Sequence, residues 1–94
     1  MNRREEAERW IKEGEEEIIT AEVDFGNKRY SATCFWSHQA VEKVLKAFCF
    51  LRGEDALFEH SLGRLLSRCK KYNKEFERFE ESVMVLDRYY IPTR

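Results

Sequence analysis

The sequence predicts an all-α domain, an up-and-down antiparallel bundle of four helices. Three observations predict this fold. Only one proline occurs in the 94 residues, Pro92, close to the last residue, and four glycines leave long stretches uninterrupted; such stretches suit helices. Apolar residues recur at helical spacing along four segments. The segments are joined by short connectors, as in antiparallel bundles, so residues 1–94 are expected to form one domain.

Helix 1 is predicted from its first turn to about Phe25. Asn2 followed three residues later by Glu5 matches a capping box. Gly14 lies on the apolar stripe and permits the close approach of another helix. Residues 24–28, which contain Gly26 and Asn27, predict the break. The residues that define the stripe are Ala7, Trp10, Ile11, Ile18, Ala21 and Phe25.

Helix 2 is predicted over residues 29–52, ending at Gly53, and is expected to be the core helix because its apolar arc spans about 180°. We interpret His38, at the boundary of that arc, as a partly buried structural histidine, with a ligand-binding role as the alternative. The opposite arc is predicted to face solvent or a partner. The apolar arc holds Tyr30, Cys34, Trp36, Ala40, Val41, Val44, Leu45, Ala47, Phe48 and Leu51, and the polar arc Gln39, Glu42, Lys43 and Lys46.

Helix 3 is predicted to begin near Ser61 and helix 4 after Asn73, which is a break or an N-cap. Helix 4 is predicted to end at Pro92. The stripe of helix 3 consists of Leu62, Leu65, Leu66, Cys69 and Tyr72, and that of helix 4 of Phe76, Phe79, Val83, Leu86 and Tyr90.

Composition narrows the class of protein. There are 17 Lys and Arg residues against 18 Asp and Glu, no stretch is apolar enough for a membrane span, and the charged N-terminus lacks a signal peptide's apolar region. We therefore expect a cytoplasmic protein that does not enter membranes. Cys34, Cys49 and Cys69 include no CxxC pair, so they are predicted to be small buried residues rather than disulfide partners or zinc ligands. No metal site and no cofactor are predicted.

The side chains that could carry chemistry are few. No glycine-rich phosphate loop, GxSxG, HExxH or paired Glu-x-x-His motif is present, which disfavours the common motif-bearing enzymes. Arg64, Arg68 and Lys71 recur at i, i+4 and i+7 and form a basic ridge. That ridge either binds phosphate or is an ordinary solvated helix face. His60, just before helix 3, either caps that helix and fixes the loop or binds a ligand.

Three segments resemble the signature of HEPN domains (higher eukaryotes and prokaryotes nucleotide-binding). Residues 34–48, CFWSHQAVEKVLKAF, resemble its Phe, polar-Gln-Ala, Glu-Lys and Leu-Lys-Ala pattern. Residues 60–62, HSL, with Leu65 and Leu66 match its His-Ser/Asp-Leu and leucine pattern. Residues 86–94, LDRYYIPTR, resemble its Tyr-x-Pro-Thr-Arg segment. The resemblance covers nearly the whole chain.

The resemblance implies a helical bundle, usually dimeric, that is encoded beside or fused to a minimal nucleotidyltransferase, often as toxin and antitoxin. Some similar proteins are metal-independent ribonucleases with an Arg followed four to six residues later by His. Here Arg29 precedes His38 by nine positions and Arg52 precedes His60 by eight, so the usual ribonuclease dyad is absent and no catalytic residue is predicted. Family members also usually continue past this segment into a further long helix. Because this sequence stops at Arg94, we expect either a shortened chain or a bundle that lacks its last helix and exposes an apolar groove.

The resulting functional prediction is a noncatalytic helical subunit that pairs with a minimal nucleotidyltransferase, forms a homodimer and binds nucleotide or phosphate through basic side chains. The alternatives are a ribonuclease toxin that cleaves RNA with an atypical dyad through His38 or His60, and a structural dimerisation module. The predicted binding residues are Lys43, Lys46, His60, Arg64, Arg68 and Arg94.

Overall fold

The computed structural model describes residues 2–56 and 58–89, and this part of the chain is helical and contains no strand. Four α-helices follow one another in the chain, and a 3₁₀ helix directly precedes the last of them. The predicted all-α bundle of four helices is confirmed. The helices are α1 (Arg3–Gly26), α2 (Tyr30–Leu51), α3 (Leu62–Lys70) and α4 (Glu80–Tyr89), and the 3₁₀ helix is Lys74–Phe79.

The predicted cap begins α1, and a short turn ends it. Asn2 Oδ1 accepts a hydrogen bond from the Glu5 N–H at 2.8 Å, and the Asn2 amide donates to the Glu5 carboxylate at 3.1 Å. At the other end, Lys28 adopts a left-handed conformation with φ of 61°. The next N–H, of Arg29, donates to the Asp24 carbonyl at 2.8 Å. The chain thereby turns back, and α2 runs along α1.

Small residues bring α1 and α2 close together. The buried residues of α1 are Ala7, Gly14 and Ala21, which recur every seven residues. A Cβ atom at Gly14 would lie 3.2 Å from both the Ala40 carbonyl oxygen and a Val44 methyl group. The glycine predicted to permit a close helix approach does so.

The core lies among α2, α3 and α4. Cys49 and Cys69 are fully buried with their sulfur atoms 3.9 Å apart, which confirms the prediction of buried free thiols, whereas Cys34 is half-buried. Burial raises the pKa of both buried thiols, that of Cys69 to about 12. The core consists of Leu45, Cys49, Ala56, Leu62, Leu65, Leu66, Cys69 and Val83, with Val41, Phe48, Phe76 and Leu86 packed against it.

The start of predicted helix 4 is wrong in type. Asn73 is an N-cap that accepts from the Glu75 N–H at 2.9 Å, but it begins the 3₁₀ helix rather than an α-helix. Phe76 and Phe79 are three residues apart, a spacing that places side chains on one side of a 3₁₀ helix as well as of an α-helix. The apolar pattern therefore could not distinguish the two. Tyr90 and Pro92 lie outside the described residues.

The two faces of α2 also differ from the prediction. Three residues of its apolar arc, Tyr30, Val44 and Leu51, are exposed. Conversely, Glu42 and Lys46 of the predicted solvent face retain only 12% of their side-chain exposure. Neighbouring helices and the loop before α3 therefore cover much of the polar arc.

No helix in residues 2–56 and 58–89 combines the length and the apolar character needed to cross a membrane.

Candidate functional site

The carboxylate of Asp87, in α4, lies at the first turn of α3. It accepts hydrogen bonds from the backbone N–H groups of Leu62 at 3.2 Å and Gly63 at 3.0 Å. Ser61 is the N-cap of α3, and its hydroxyl accepts from the Arg64 N–H at 3.3 Å. A helix begins with N–H groups that lack acceptors within the helix. Asp87 and Ser61 together supply acceptors for three such N–H groups at the start of α3.

His38 joins α2 to the same carboxylate. Its ring is 1% exposed, and its Nε2 lies 3.1 Å from Asp87 Oδ1. Because an ionised carboxylate only accepts hydrogen bonds, the Nε2–H group donates this one. Burial alone would raise the pKa of Asp87. The N–H groups of Gly63 and Leu62 and the His38 ring outweigh burial and hold that pKa below its ordinary value. The ring is buried more completely than the partly buried histidine that the sequence predicted.

Glu42 lies one turn after His38 and meets two of the predicted binding residues. Its carboxylate is 2.9 Å from Lys46 Nζ and 3.3 Å from Nδ1 of His60, and it lies 3.8 Å from Nδ1 of His38. The ring of His60 is 73% exposed, whereas Glu42 is largely buried beneath it. Lys46 and His60 therefore meet at the same oxygen of one carboxylate, Glu42 Oε2, which offsets the positive charge of Lys46.

Lys43 points to the opposite side of α2, towards α1. Its ammonium group lies 3.0 Å from the carboxylate of Glu17 and 3.3 Å from that of Glu13. Burial lowers its pKa, but the two glutamates outweigh that effect and the pKa is raised. Lys43 thus stays charged as an ion pair between α1 and α2.

Arg64 and Arg68 lie on the outer face of α3. The side chain of Arg64 is 78% exposed and lies 4.0 Å from Glu59. Arg68 donates to the Asp55 carbonyl at 3.2 Å and lies 4.0 Å from Glu54. Arg64 is thus the most accessible of the predicted basic residues with a described position. Arg94 lies outside the described residues.

Two predicted basic residues border hollows on the surface. Lys46, Arg3, Trp10 and Phe50 line a hollow of about 370 Å³, in which the two aromatic rings are 5.1 Å apart. Arg68 lines a second hollow of about 310 Å³ next to it, and the two hollows share Asp55 and Ala56.

The predicted binding residues with a described position therefore lie at three separate locations. Lys46 and His60 meet at Glu42, Arg64 and Arg68 lie on α3, and Lys43 faces α1. Sequence reasoning missed two carboxylates: Glu42, at which Lys46 and His60 meet, and Asp87, which joins His38 to the start of α3. Glu42 follows His38 by four residues, a spacing that places two side chains on one helix face and could have identified it. Nothing local in the sequence joins Asp87 to residues of α2 and α3.

A groove lined mostly by apolar residues runs between α1 and α4 across α2. Its volume is about 280 Å³. Gly14 and Ile18 of α1 form one wall, and residues of the 3₁₀ helix and α4 form the other. The residues on its floor and second wall are Ala40, Val41, Val44 and Leu45, and Phe76, Phe79, Ser82, Val83 and Leu86.

Among residues 2–56 and 58–89, no group of three or more His, Cys, Asp or Glu side chains is placed to hold a metal ion.

Comparison with known proteins identifies one family. The family model described as HEPN domain matches residues 7–94, most of the chain. No curated protein and no solved structure gives a significant match.

Proposed function

The chain belongs to the HEPN domain family, and from this premise we propose that it is the noncatalytic helical subunit of a complex with a minimal nucleotidyltransferase. The observation that carries the proposal is the apolar groove between α1 and α4. A small domain gains much of its stability by removing apolar surface from water, so a groove left open on its own surface favours a role as a subunit.

The polar cluster around Asp87 and Glu42 supports the noncatalytic part of the proposal. The His38 ring is buried and donates to a carboxylate that also caps α3. A general base needs access to the proton that it removes. His38 is therefore assigned to holding three helices together.

Co-purification tests the assembly. The tagged chain would be produced together with the nucleotidyltransferase encoded in the neighbouring reading frame of its genome, and size-exclusion chromatography with light scattering would measure the mass of the product. We expect one peak that contains both chains. Separate elution, or a neighbouring frame that encodes no nucleotidyltransferase, would count against the proposal.

We further propose that Arg64 and Arg68 contribute weak nucleotide binding by neutralising phosphate charge, as guanidinium groups do well. The exposure of Arg64 and the adjoining hollow at Arg68 support this assignment. ATP and GTP would be titrated against the wild-type chain and Arg64→Glu/Arg68→Glu, with Arg4→Glu/Lys12→Glu on α1 as a control with the same change in net charge. Binding that the double substitution leaves unchanged, or no binding by wild type, would dismiss the phosphate role.

A ribonuclease is the second candidate because His60 is exposed and paired with Glu42, an arrangement that suits a general base. It predicts metal-independent RNA cleavage that His60→Ala abolishes and that His38→Gln retains. Intact RNA after prolonged incubation with the wild-type chain would remove this candidate.

A further inference from the structure

The sequence of α1 has a seven-residue repeat that divides its surface into distinct faces. The small residues Ala7, Gly14 and Ala21 pack on α2. A second row, Ile11, Ile18 and Phe25, has the same spacing and lies beside the first. Ile18 is 38% exposed and Phe25 is 62% exposed, so this apolar row reaches the surface. Such a seven-residue spacing is what a partner helix in a coiled coil recognises.

The groove between α1 and α4 continues along this row. Beyond Ile18, a second hollow of about 420 Å³ follows α1 and α2 towards the turn between them. Ile18 borders both hollows, so they form one track. From Gly14 to Phe25 the track covers about three helical turns, roughly 16 Å. Its second part is lined by Ala21, Glu22 and Phe25 of α1 and by Thr33 and Ser37 of α2.

The α1 side of this track is acidic. Glu15 lines the first hollow and Glu22 the second, and both residues are exposed. They stand seven residues apart, directly beside the apolar row. Among the described residues, neither carboxylate has a basic partner within 4.0 Å, whereas Glu13 and Glu17, towards α2, both pair with Lys43.

We propose that this track binds an amphipathic helix of the partner protein whose apolar stripe is flanked by Lys or Arg at heptad spacing. The apolar stripe fills the space between Ile18, Val44 and Phe79. The basic side chains pair with Glu15 and Glu22, where charge complementarity fixes the direction and register of the helix. The inference rests on the proposed function in taking the helix to belong to the partner subunit.

A second copy of this chain fits the track poorly. The exposed apolar residues of α1 lie near Glu15 and Glu22, and α4 begins with Glu80 and Glu81, so either helix would bring acid against acid. The basic helix α3 has its leucines buried in the core. Among the described helices, none is both basic and apolar on an exposed face.

Designed peptides test the chemistry of the track. One fluorescent peptide of about three heptads carries Leu at positions a and d and Lys at positions e and g. The control peptide has the same sequence with Glu in place of every Lys. Fluorescence anisotropy would measure their binding to the full chain. We expect the Lys peptide to bind at least about tenfold more tightly, with an affinity that falls as salt screens the charges. Equal binding of the two peptides, or none of either, would overturn the proposal.

Two sets of variants locate the binding. Ile18→Ser should weaken binding of the Lys peptide at least about tenfold, whereas Ile19→Ser, at a neighbouring residue that is 62% exposed and does not line the track, should change it by less than about twofold. Glu15→Lys/Glu22→Lys should reverse the preference between the peptides. Circular dichroism would establish that each variant is folded. Self-association that Ile18→Ser removes and Ile19→Ser preserves would assign the track to a second copy and contradict the proposal.

The same variants separate this inference from the proposed function. A nucleotidyltransferase complex that survives Ile18→Ser would overturn the assignment of the track while leaving the proposed function intact. Selective peptide binding at the track without any nucleotidyltransferase complex would support the track and contradict the proposed function.

Discussion

Asp87 Oδ1 in α4 lies 3.1 Å from Nε2 of His38 in α2, although the two residues are 49 positions apart in the sequence. The same carboxylate accepts the N–H groups of Leu62 and Gly63 at the start of α3. One side chain therefore connects three helices.

The first prediction concerns acid. The pKa of Asp87 is lowered in the folded protein, so its ionised carboxylate stabilises the fold above the ordinary value of 3.8. This stabilisation is lost as the pH falls below 3.8 and through the lower pKa that Asp87 has in the folded protein. Asp87→Asn should reduce the free energy of unfolding by about 1–2 kcal/mol at pH 7 and flatten its decrease below pH 4. Urea unfolding across this range, with Glu16→Gln as an exposed control, would measure both effects. If the free energy of unfolding of Asp87→Asn decreases below pH 4 as steeply as that of the wild type, the lowered pKa of Asp87 does not cause the decrease.

The second prediction concerns the histidine. His38→Ala removes a buried ring and one partner of Asp87, so we expect a loss of about 2–4 kcal/mol in the free energy of unfolding. His38→Gln places an amide donor near the position of Nε2 and should recover part of that loss. Thermal unfolding would rank the variants. If alanine and glutamine cost the same, the hydrogen bond to Asp87 contributes nothing measurable.

The third prediction compares two glycines. Gly63→Ala should raise the free energy of unfolding by about 0.5–1 kcal/mol because a Cβ there meets only ordinary contacts, at 3.6 Å and 3.7 Å. Gly14→Ala gains the same helix propensity, but its Cβ approaches the α2 backbone at 3.2 Å. Pushing the helices apart should outweigh the gain and lower stability by about 1–2 kcal/mol. Chemical denaturation would measure the change in the free energy of unfolding for both variants, and we expect opposite signs. If Gly14→Ala stabilises the protein, α1 and α2 accommodate the added Cβ without loss of packing.

The fourth prediction concerns thiol reactivity. Cys49 and Cys69 are fully buried with raised pKa values, so few thiolates form and reagents cannot reach them. Cys34 is half-buried and should react first in the folded protein. Iodoacetamide labelling followed by peptide mass spectrometry would measure the order, with the urea-unfolded chain as the reference in which all three react. Equal labelling of the three cysteines in the folded chain would contradict the predicted core.

The sequence predicted those elements whose causes are local. Helical spacing located the helices, Asn2 identified the cap of α1, and Gly14 indicated the tight packing of α1 on α2. The N-cap of α3 is Ser61, and not His60, for which the sequence also allowed a capping role. The 3₁₀ helix was missed because a three-residue spacing of aromatic rings suits both kinds of helix.

The candidate site was harder to predict because charges pair across helices. Lys43 reads from the sequence as a surface cation, but two glutamates of α1 neutralise it. Asp87 gave no local signal, since its partners lie on α2 and α3, far away along the chain. The phosphate assignments of Arg64 and Arg68, the homodimer and the cytoplasmic location remain predictions.

The capping of α3 by a residue of α4 has a consequence for how the domain opens. When α4 detaches, the first-turn amides of Leu62 and Gly63 lose their acceptor and become available to solvent deuterium. Their hydrogen exchange should therefore follow the release of α4 rather than the fraying of α3, so that these two helices open as one cooperative unit. The hairpin of α1 and α2, joined by its own short turn and by the Lys43 ion pairs, can persist through such openings.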